Sequence, residues 1–264
     1  MIMEFHKLQS LGNDFVLLFE PKEDPDEALV KRLGDRHLGI GFDQLLVIRN
    51  IARNTWAYKI YNQDGSSAEQ CLNGARCVGR YLSDKLGQEN ILLKAGEQEI
   101  IVNVLSNDNI QVLVEWPQFI EIMPEGWFYS VGNPHWIIDL TEQTWSKETI
   151  KNCYQQRPVN ISGVYRHHQN EISLCTFERG TGFTHACGSA CVASFAALHD
   201  NELCGNELAI AQKGGCAKMQ RQDNLVSFEA SASWVYSGKV LSTEQILYQG
   251  AGRQDRQHSY KEIL

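Results

Sequence analysis

The stretch Gly188-Ser189-Ala190-Cys191-Val192-Ala193-Ser194-Phe195-Ala196-Ala197-Leu198 reads as a helix that is small and apolar on nearly every side. A helix without a polar face has to be enclosed by protein all round. The rest of the chain says what encloses it, because most of its regular stretches read as short strands. WAYKIYN over 56–62 alternates, and NILLKAGEQEIIVNVLSNDNIQVLVEW over 90–116 reads as three strands with Ser106-Asn107-Asp108-Asn109 as a turn. HWIIDL (135–140), EISLCTFE (171–178), ELAIA (207–211) and LVSFEA (225–230) follow the same pattern. The expected fold class is α+β, with sheets wrapped around buried helices.

Three further helices are expected. Asp24-Pro25-Asp26-Glu27 is a start signal, with an N-cap residue, a proline and early acids leading into ALVKRLGDRH. Another helix begins near Asn73 and ends at Gly87, and a third covers roughly 142–157. The helix after Asn73 echoes the apolar one, because Cys71 precedes it as Cys187 precedes the other, 116 positions later. Gly12-Asn13 lies 58 positions before Cys71, and Gly132-Asn133 lies 54 before Cys187. A glycine-rich approach leads to each cysteine, Asp64-Gly65 in one case and Arg179-Gly180-Thr181-Gly182 in the other. This order of parts implies two equivalent halves. Residues 1–117 with a returning strand near 235–245 form the first, residues 118–234 form the second, and 246–264 read as a polar tail.

Composition excludes several classes. The net charge is −8 with acids scattered along the chain, so the clustered basic face of a nucleic-acid binder is not expected. No apolar run approaches the roughly 20 residues that span a bilayer. The opening MIMEFHKLQSLGNDF carries Glu4, His6 and Lys7 where a signal peptide needs an apolar core, so a cytoplasmic location is expected. In that compartment the eight cysteines are thiols. The close pairs Cys71/Cys77 and Cys187/Cys191 lack the two-residue spacing of a zinc knuckle, and no metal is expected. Cys153, Cys175, Cys204 and Cys216 read as small hydrophobes, and Cys77 and Cys191 as packing residues within helices.

Cys71 and Cys187 stand apart because each opens a helix. A helix N-terminus presents unpaired N–H groups and partial positive charge, which stabilise a thiolate and can also hold a carboxylate. Two such helices, one from each half, would put one sulfur on each face of a carbon bearing a carboxylate. That arrangement suits removal of a weakly acidic α-proton from one face and delivery to the other, with inversion. One sulfur must be thiolate while the other is thiol, so the two titrate as a pair.

The sequence resembles the diaminopimelate epimerases. The resemblance rests on Leu11-Gly12-Asn13-Asp14-Phe15, Arg36-His37-Leu38-Gly39-Ile40-Gly41-Phe42-Asp43-Gln44, Asn62-Gln63-Asp64-Gly65-Ser66 and Gln70-Cys71-Leu72-Asn73-Gly74-Ala75-Arg76-Cys77. In the second half it rests on Gly132-Asn133-Pro134-His135, Val159-Asn160, and Glu178-Arg179-Gly180-Thr181-Gly182 leading to Ala186-Cys187-Gly188-Ser189. It implies two pseudo-symmetric halves, each a mostly antiparallel barrel-like sheet around a central helix, with the active site in the cleft between them. It also implies epimerisation of LL-2,6-diaminoheptanedioate to the meso form, with no cofactor, in lysine and peptidoglycan precursor synthesis, by a homodimer.

Carried over by position, Cys71 and Cys187 are the acid–base pair. The N–H groups of Asn73, Gly74, Gly188 and Ser189 hold the reacting carboxylate. Asn13, Gln44, Asn62, Asn133, Asn160 and Arg179 read the distal end, with Glu178 beside the ammonium group. A bidentate arginine and amides that both donate and accept suit a substrate with an amino acid at each end. The alternatives are a racemase of another amino acid, of histidine or proline type, and a catalytically silent amino-acid-binding relative. Arg179, Asn160 and Glu178 speak against the first, and intact Cys71 and Cys187 against the second. This chain departs from the resembled pattern at Leu72 and Ala190, where glycines are usual, and in a short connection over 117–131.

Overall fold

The computed structural model describes residues 3–68, 70–106, 108–123, 125–142, 146–179, 181–240 and 246–250. The chain divides into two compact units, Met1–Ile110 with Ser231–Leu264, and Gln111–Ala230. The first unit opens with β1 (Met3–Ser10), β2 (Asn13–Phe19), α1 (Glu27–Gly34), β3 (Gln44–Ala52) and β4 (Thr55–Asn62). It continues with β5 (Ser67–Ala68), α2 (Leu72–Leu86), β6 (Asn90–Ala95) and β7 (Gln98–Ser106). Next come β8 (Asn109–Glu115), β9 (Gln118–Met123), β10 (Gly126–Ser130), β11 (Pro134–Asp139), α3 (Lys147–Gln156) and β12 (Asn160–His168). The second unit ends with β13 (Glu171–Glu178), β14 (Gly182–Phe183), α4 (Gly188–Asp200), β15 (Glu207–Gln212), β16 (Gly215–Gln222) and β17 (Leu225–Ala230). The chain then returns to the first unit with β18 (Ser233–Val240) and β19 (Ile246–Gly250).

Both units pair strands in one pattern. In the first, β1/β2 is antiparallel, β2/β3 parallel, β3/β4 antiparallel, β4/β6 parallel and β6/β7 antiparallel. In the second, β10/β11, β11/β12, β12/β13, β13/β15 and β15/β16 repeat those orientations in the same order. Parallel neighbours need a crossover, and a helix fills every one of these four. The result is an α+β fold of mostly antiparallel sheet with few helices.

Each unit curves its sheet around one helix. α2 packs against β1, β2, β3 and β7. In a flat sheet β1 and β7 would be about 24 Å apart at about 4.8 Å per strand, whereas a helix is only about 10–12 Å across. The sheet must therefore bend round α2. α4 is held in the same way by β10, β11, β12 and β16, and every residue from Ala190 to Leu198 is buried. Phe195 and Leu198 are fully enclosed, each contributing roughly 1.5–3 kcal/mol of apolar burial.

The helix ends follow local chemistry. α1 starts where Asp26 Oδ1 accepts the Leu29 N–H at 2.7 Å. α2 ends at Gly87, whose φ of +65° suits glycine and whose N–H reaches the Ser83 carbonyl at 2.9 Å. α3 starts at Lys147, later than the expected 142, because the Ser146 hydroxyl caps Thr149 N–H at 3.2 Å.

The short connection over 117–131 holds an antiparallel hairpin of β9 and β10. Of the stretch read as a polar tail, Ile246–Gly250 is a strand beside β18. Residues 251–264 lie outside the described residues. No helix among the described residues is long and apolar enough to cross a membrane.

Candidate active site

In the first unit Cys71 is the N-cap of α2, with extended backbone (φ −149°, ψ 104°). Its sulfur accepts the Gly74 N–H at 3.3 Å, in the position where a serine or aspartate oxygen usually caps. The Cys71 carbonyl accepts both the Ala75 N–H at 2.9 Å and the Tyr58 hydroxyl at 3.1 Å. Tyr58 lies buried on β4 and remains a donor, because burial and then the nearby Cys71 push its hydroxyl well above the usual range. Gly74 has no room for a side chain, since a Cβ there would sit 2.4 Å from the Tyr58 hydroxyl and 3.3 Å from the Cys71 sulfur. Leu72, the departure from the resembled pattern, is the first helical residue and is buried. It is not among the residues with positive φ, so the backbone there asks nothing special of it.

Asn13 begins β2 directly after the Leu11-Gly12 turn, where φ is +54° and +78°. Such a two-residue turn matches the strand twist, and Gly12 meets its demand without a Cβ penalty. The Asn13 amide nitrogen donates to Asp43 at 2.5 Å, and its oxygen faces Asn73 Nδ2 at 3.4 Å. Asn73 is buried and also accepts from Arg76, whose Nε donates to Ser10 at 3.0 Å. Behind Asn13, Arg36 forks onto Asp14 at 2.9 Å and reaches Asp43 at 2.6 Å, while Lys7 meets Asp14 at 2.6 Å. Burial would raise Asp14, but hydrogen bonds from Arg36 and Lys7 outweigh it and hold the carboxyl at about 2. Its neighbour Asp43 is pushed up by burial and by the Asp14 charge. Gln44 and Asn62 face each other across β3 and β4, with Gln44 donating at 3.0 Å.

In the second unit Cys187 is the N-cap of α4 (φ −129°, ψ 114°); no cap hydrogen bond of full geometry reaches its sulfur, while the Ala190 N–H favours its charged form. The sulfur lies 3.5 Å from the Ser189 hydroxyl. Burial, and after it the Glu178 charge, push the Cys187 thiol well up. There, loss of water and a nearby carboxylate work against the Ala190 N–H and the Ser189 hydroxyl, which favour the charged sulfur. Glu178 accepts from the Thr184 hydroxyl. Asn160 accepts the Arg179 backbone N–H at 2.9 Å, and the Arg179 side chain is exposed. Asn160 pairs with His135 across β12 and β11, and His135 Nε2 meets Asn133 Oδ1 at 3.2 Å. Burial holds the His135 pKa at about 3, so the ring is neutral and donates to that oxygen. The Asn133 nitrogen remains to donate elsewhere.

The first unit thus gathers Asn13, Asn73 and Gly74 near Cys71, with Gln44 and Asn62 as a second pair. The second gathers Glu178, Gly188 and Ser189 at the helix mouth of Cys187, with Asn160 on the Arg179 backbone and Asn133 held by His135. Sequence reading passed over Tyr58 and Gln212. Tyr58 shows only as one inward residue of an alternating strand, and Gln212 as a polar residue ending one.

Residues 5–119 match the family model described as diaminopimelate epimerase. A diaminopimelate epimerase of Psychrobacter cryohalolentis is 31% identical, with 94% of this chain and 97% of the relative covered. One of Rickettsia typhi is 30% identical, over 90% and 97%. One of Xylella fastidiosa is 33% identical, over 83% and 88%. Among solved structures, one described as a predicted epimerase from Pseudomonas aeruginosa superposes with a TM-score of 0.73 at 11% identity, covering 91% of this chain and 99% of that one. A PhzF-family phenazine biosynthesis protein of Enterococcus faecalis gives 0.69 at 12% identity, over 92% and 100%. At such identities the structures speak for the fold alone.

Proposed function

The chain belongs to the diaminopimelate epimerase family, and from that premise we propose that it interconverts LL- and meso-2,6-diaminoheptanedioate with Cys71 and Cys187 as the two acid–base groups. The observation that carries this reading is the matched pair of cysteine N-caps, one on the enclosed helix of each unit. In the reaction a thiolate takes the α-proton and the C–H electron pair spreads into the substrate carboxylate. The other thiol then returns a proton to the opposite face. Each turnover leaves the two sulfurs with exchanged protonation, so the reverse reaction uses the same groups in opposite roles.

The Gly74 N–H on the Cys71 sulfur supports Cys71 as the resting thiolate. Burial and Glu178 support Cys187 as the resting acid. A substrate ammonium beside Glu178 would offset that carboxylate and ease the return step. The exposed Arg179 guanidinium suits a bidentate grip on the distal carboxylate. Asn13, Gln44, Asn62, Asn133 and Asn160 supply amide donors and acceptors around it.

On this reading the protein serves lysine and peptidoglycan precursor synthesis in the cytoplasm, without an added cofactor and as a homodimer. Light scattering should give twice the 29.9 kDa chain mass, and a monomeric mass across working concentrations would remove the dimer. The activity is tested by incubating the reduced protein with LL-diaminopimelate in D2O without pyridoxal phosphate. Loss of the α-proton NMR signal together with appearance of the meso form is expected. Folded protein that exchanges no α-proton, or that acts only on a mono-amino acid, would end the proposal.

A further inference from the structure

The loop leading to Cys187 is tied to the turn between β15 and β16 at two points. The Gly214 N–H donates to the His185 carbonyl at 2.9 Å. Two residues earlier, Gln212 uses both ends of its side-chain amide. Its Oε1 accepts the Cys187 backbone N–H at 2.8 Å, and its Nε2 lies 2.8 Å from the Cys191 sulfur. The first contact fixes the sense of the second, because a backbone N–H can only donate and so calls for the amide oxygen. With oxygen on Cys187, the nitrogen must face the Cys191 sulfur, and a flipped amide would set donor against donor at Cys187.

This matters because Cys187 is anchored through its backbone on both sides. On its C-terminal side the residue is held by the helix, through the Cys191 N–H on its carbonyl at 3.2 Å. On its N-terminal side the Gln212 oxygen holds it. Cys187 is buried, so without Gln212 its N–H would lose that acceptor with little water to replace it. Cys71 is fixed differently, by Gly74 on its sulfur and Tyr58 on its carbonyl.

We propose that Gln212 is a positioning residue for Cys187, fixing where its thiol meets the substrate while leaving Cys71 untouched. The inference rests on the two-thiol reading above for its kinetic consequence, but not for its geometry. Gln212→Leu is expected to lower kcat on the order of tenfold or more, the scale of a small misplacement of a reacting group, with KM little changed. Two readouts need no substrate. Hydrogen exchange at the Cys187 amide should quicken in Gln212→Leu and stay slow in Gln212→Glu, which keeps the acceptor. The pH profile of iodoacetamide alkylation, followed by peptide mass spectrometry, should change at Cys187 and not at Cys71. Unchanged exchange and alkylation at Cys187 in Gln212→Leu would overturn the proposal, as would equal changes at both cysteines. If Gln212→Leu fails to fold, fast exchange in a folded Gln212→Glu overturns it and slow exchange supports it. Wild-type protein that exchanges no diaminopimelate α-proton would instead end the functional reading, and the amide and alkylation results would still judge Gln212.

Discussion

Cys71→Ala and Cys187→Ala are each expected to lower epimerisation roughly a thousandfold or more, within the scale of losing a positioned acid or base, while the fold is retained. The two variants should not fail in the same way. With one thiol left, the remaining sulfur can still take a proton from the epimer that faces it and return one to the same face. In D2O each variant should therefore exchange the α-proton of one epimer only, without inversion, and the two should choose opposite epimers. Their pH dependence should also differ. Burial and Glu178 push the Cys187 thiol up, so Cys71→Ala, which relies on it, needs a higher pH for exchange. Cys187→Ala relies on Cys71, which is only partly buried and does not carry that burial penalty in full, so its exchange should need a less alkaline pH than that of Cys71→Ala. NMR of α-proton loss across pH checks this, and near-wild-type turnover in either variant would exclude a two-thiol mechanism.

Gly74→Ala is expected to cost about a hundredfold in activity, the scale of displacing a catalytic group by about 1 Å. The added methyl would lie 2.4 Å from the Tyr58 hydroxyl and 3.3 Å from the Cys71 sulfur. Tyr58 is fully enclosed and cannot swing away, so the helix mouth must move and take the sulfur with it. Overpacking of this kind costs typically 1–3 kcal/mol of stability. Removing the hydroxyl relieves most of the clash, so Gly74→Ala with Tyr58→Phe should recover part of both losses. Kinetics and thermal unfolding of the four proteins measure this. Strict additivity of the two substitutions would show that the tyrosine is not what crowds position 74.

Much of the fold could be read along the chain. EISLCTFE and LVSFEA match strands residue for residue and the Gly87 stop falls as read, while the first helix starts two residues later than the Asp24-Pro25 signal, capped by Asp26. The strands that escaped reading escaped for a reason. β2 and β3 lie parallel inside the sheet, and Phe15–Leu18 and Leu45–Ile48 are buried without a break, so no alternation marks them. The hairpin of β9 and β10 was missed from the other side. β9 is almost wholly exposed, and Phe119, Ile120 and Ile122 do not sort into an inner and an outer face. The site divided similarly. The cysteines and the Asn13, Asn133 and Asn160 motifs were legible, whereas Tyr58 and Gln212 were not.

By itself the sequence determined that an apolar helix had to be enclosed, that a second helix answered it, and that each opened on a cysteine. Those are local properties, set by side-chain size, capping chemistry and order along the chain. Only the tertiary structure decided what surrounds each sulfur. Tyr58 reaches Cys71 across 13 positions and Gln212 reaches Cys187 across 25, because β4 and β15 lie beside crossover helices that no local pattern can register. It also decided that the two thiols are unequal. Cys71 is only partly buried, while Cys187 is shut away from water near a carboxylate. Desolvation and charge proximity depend on what folds against a residue, not on its neighbours in sequence.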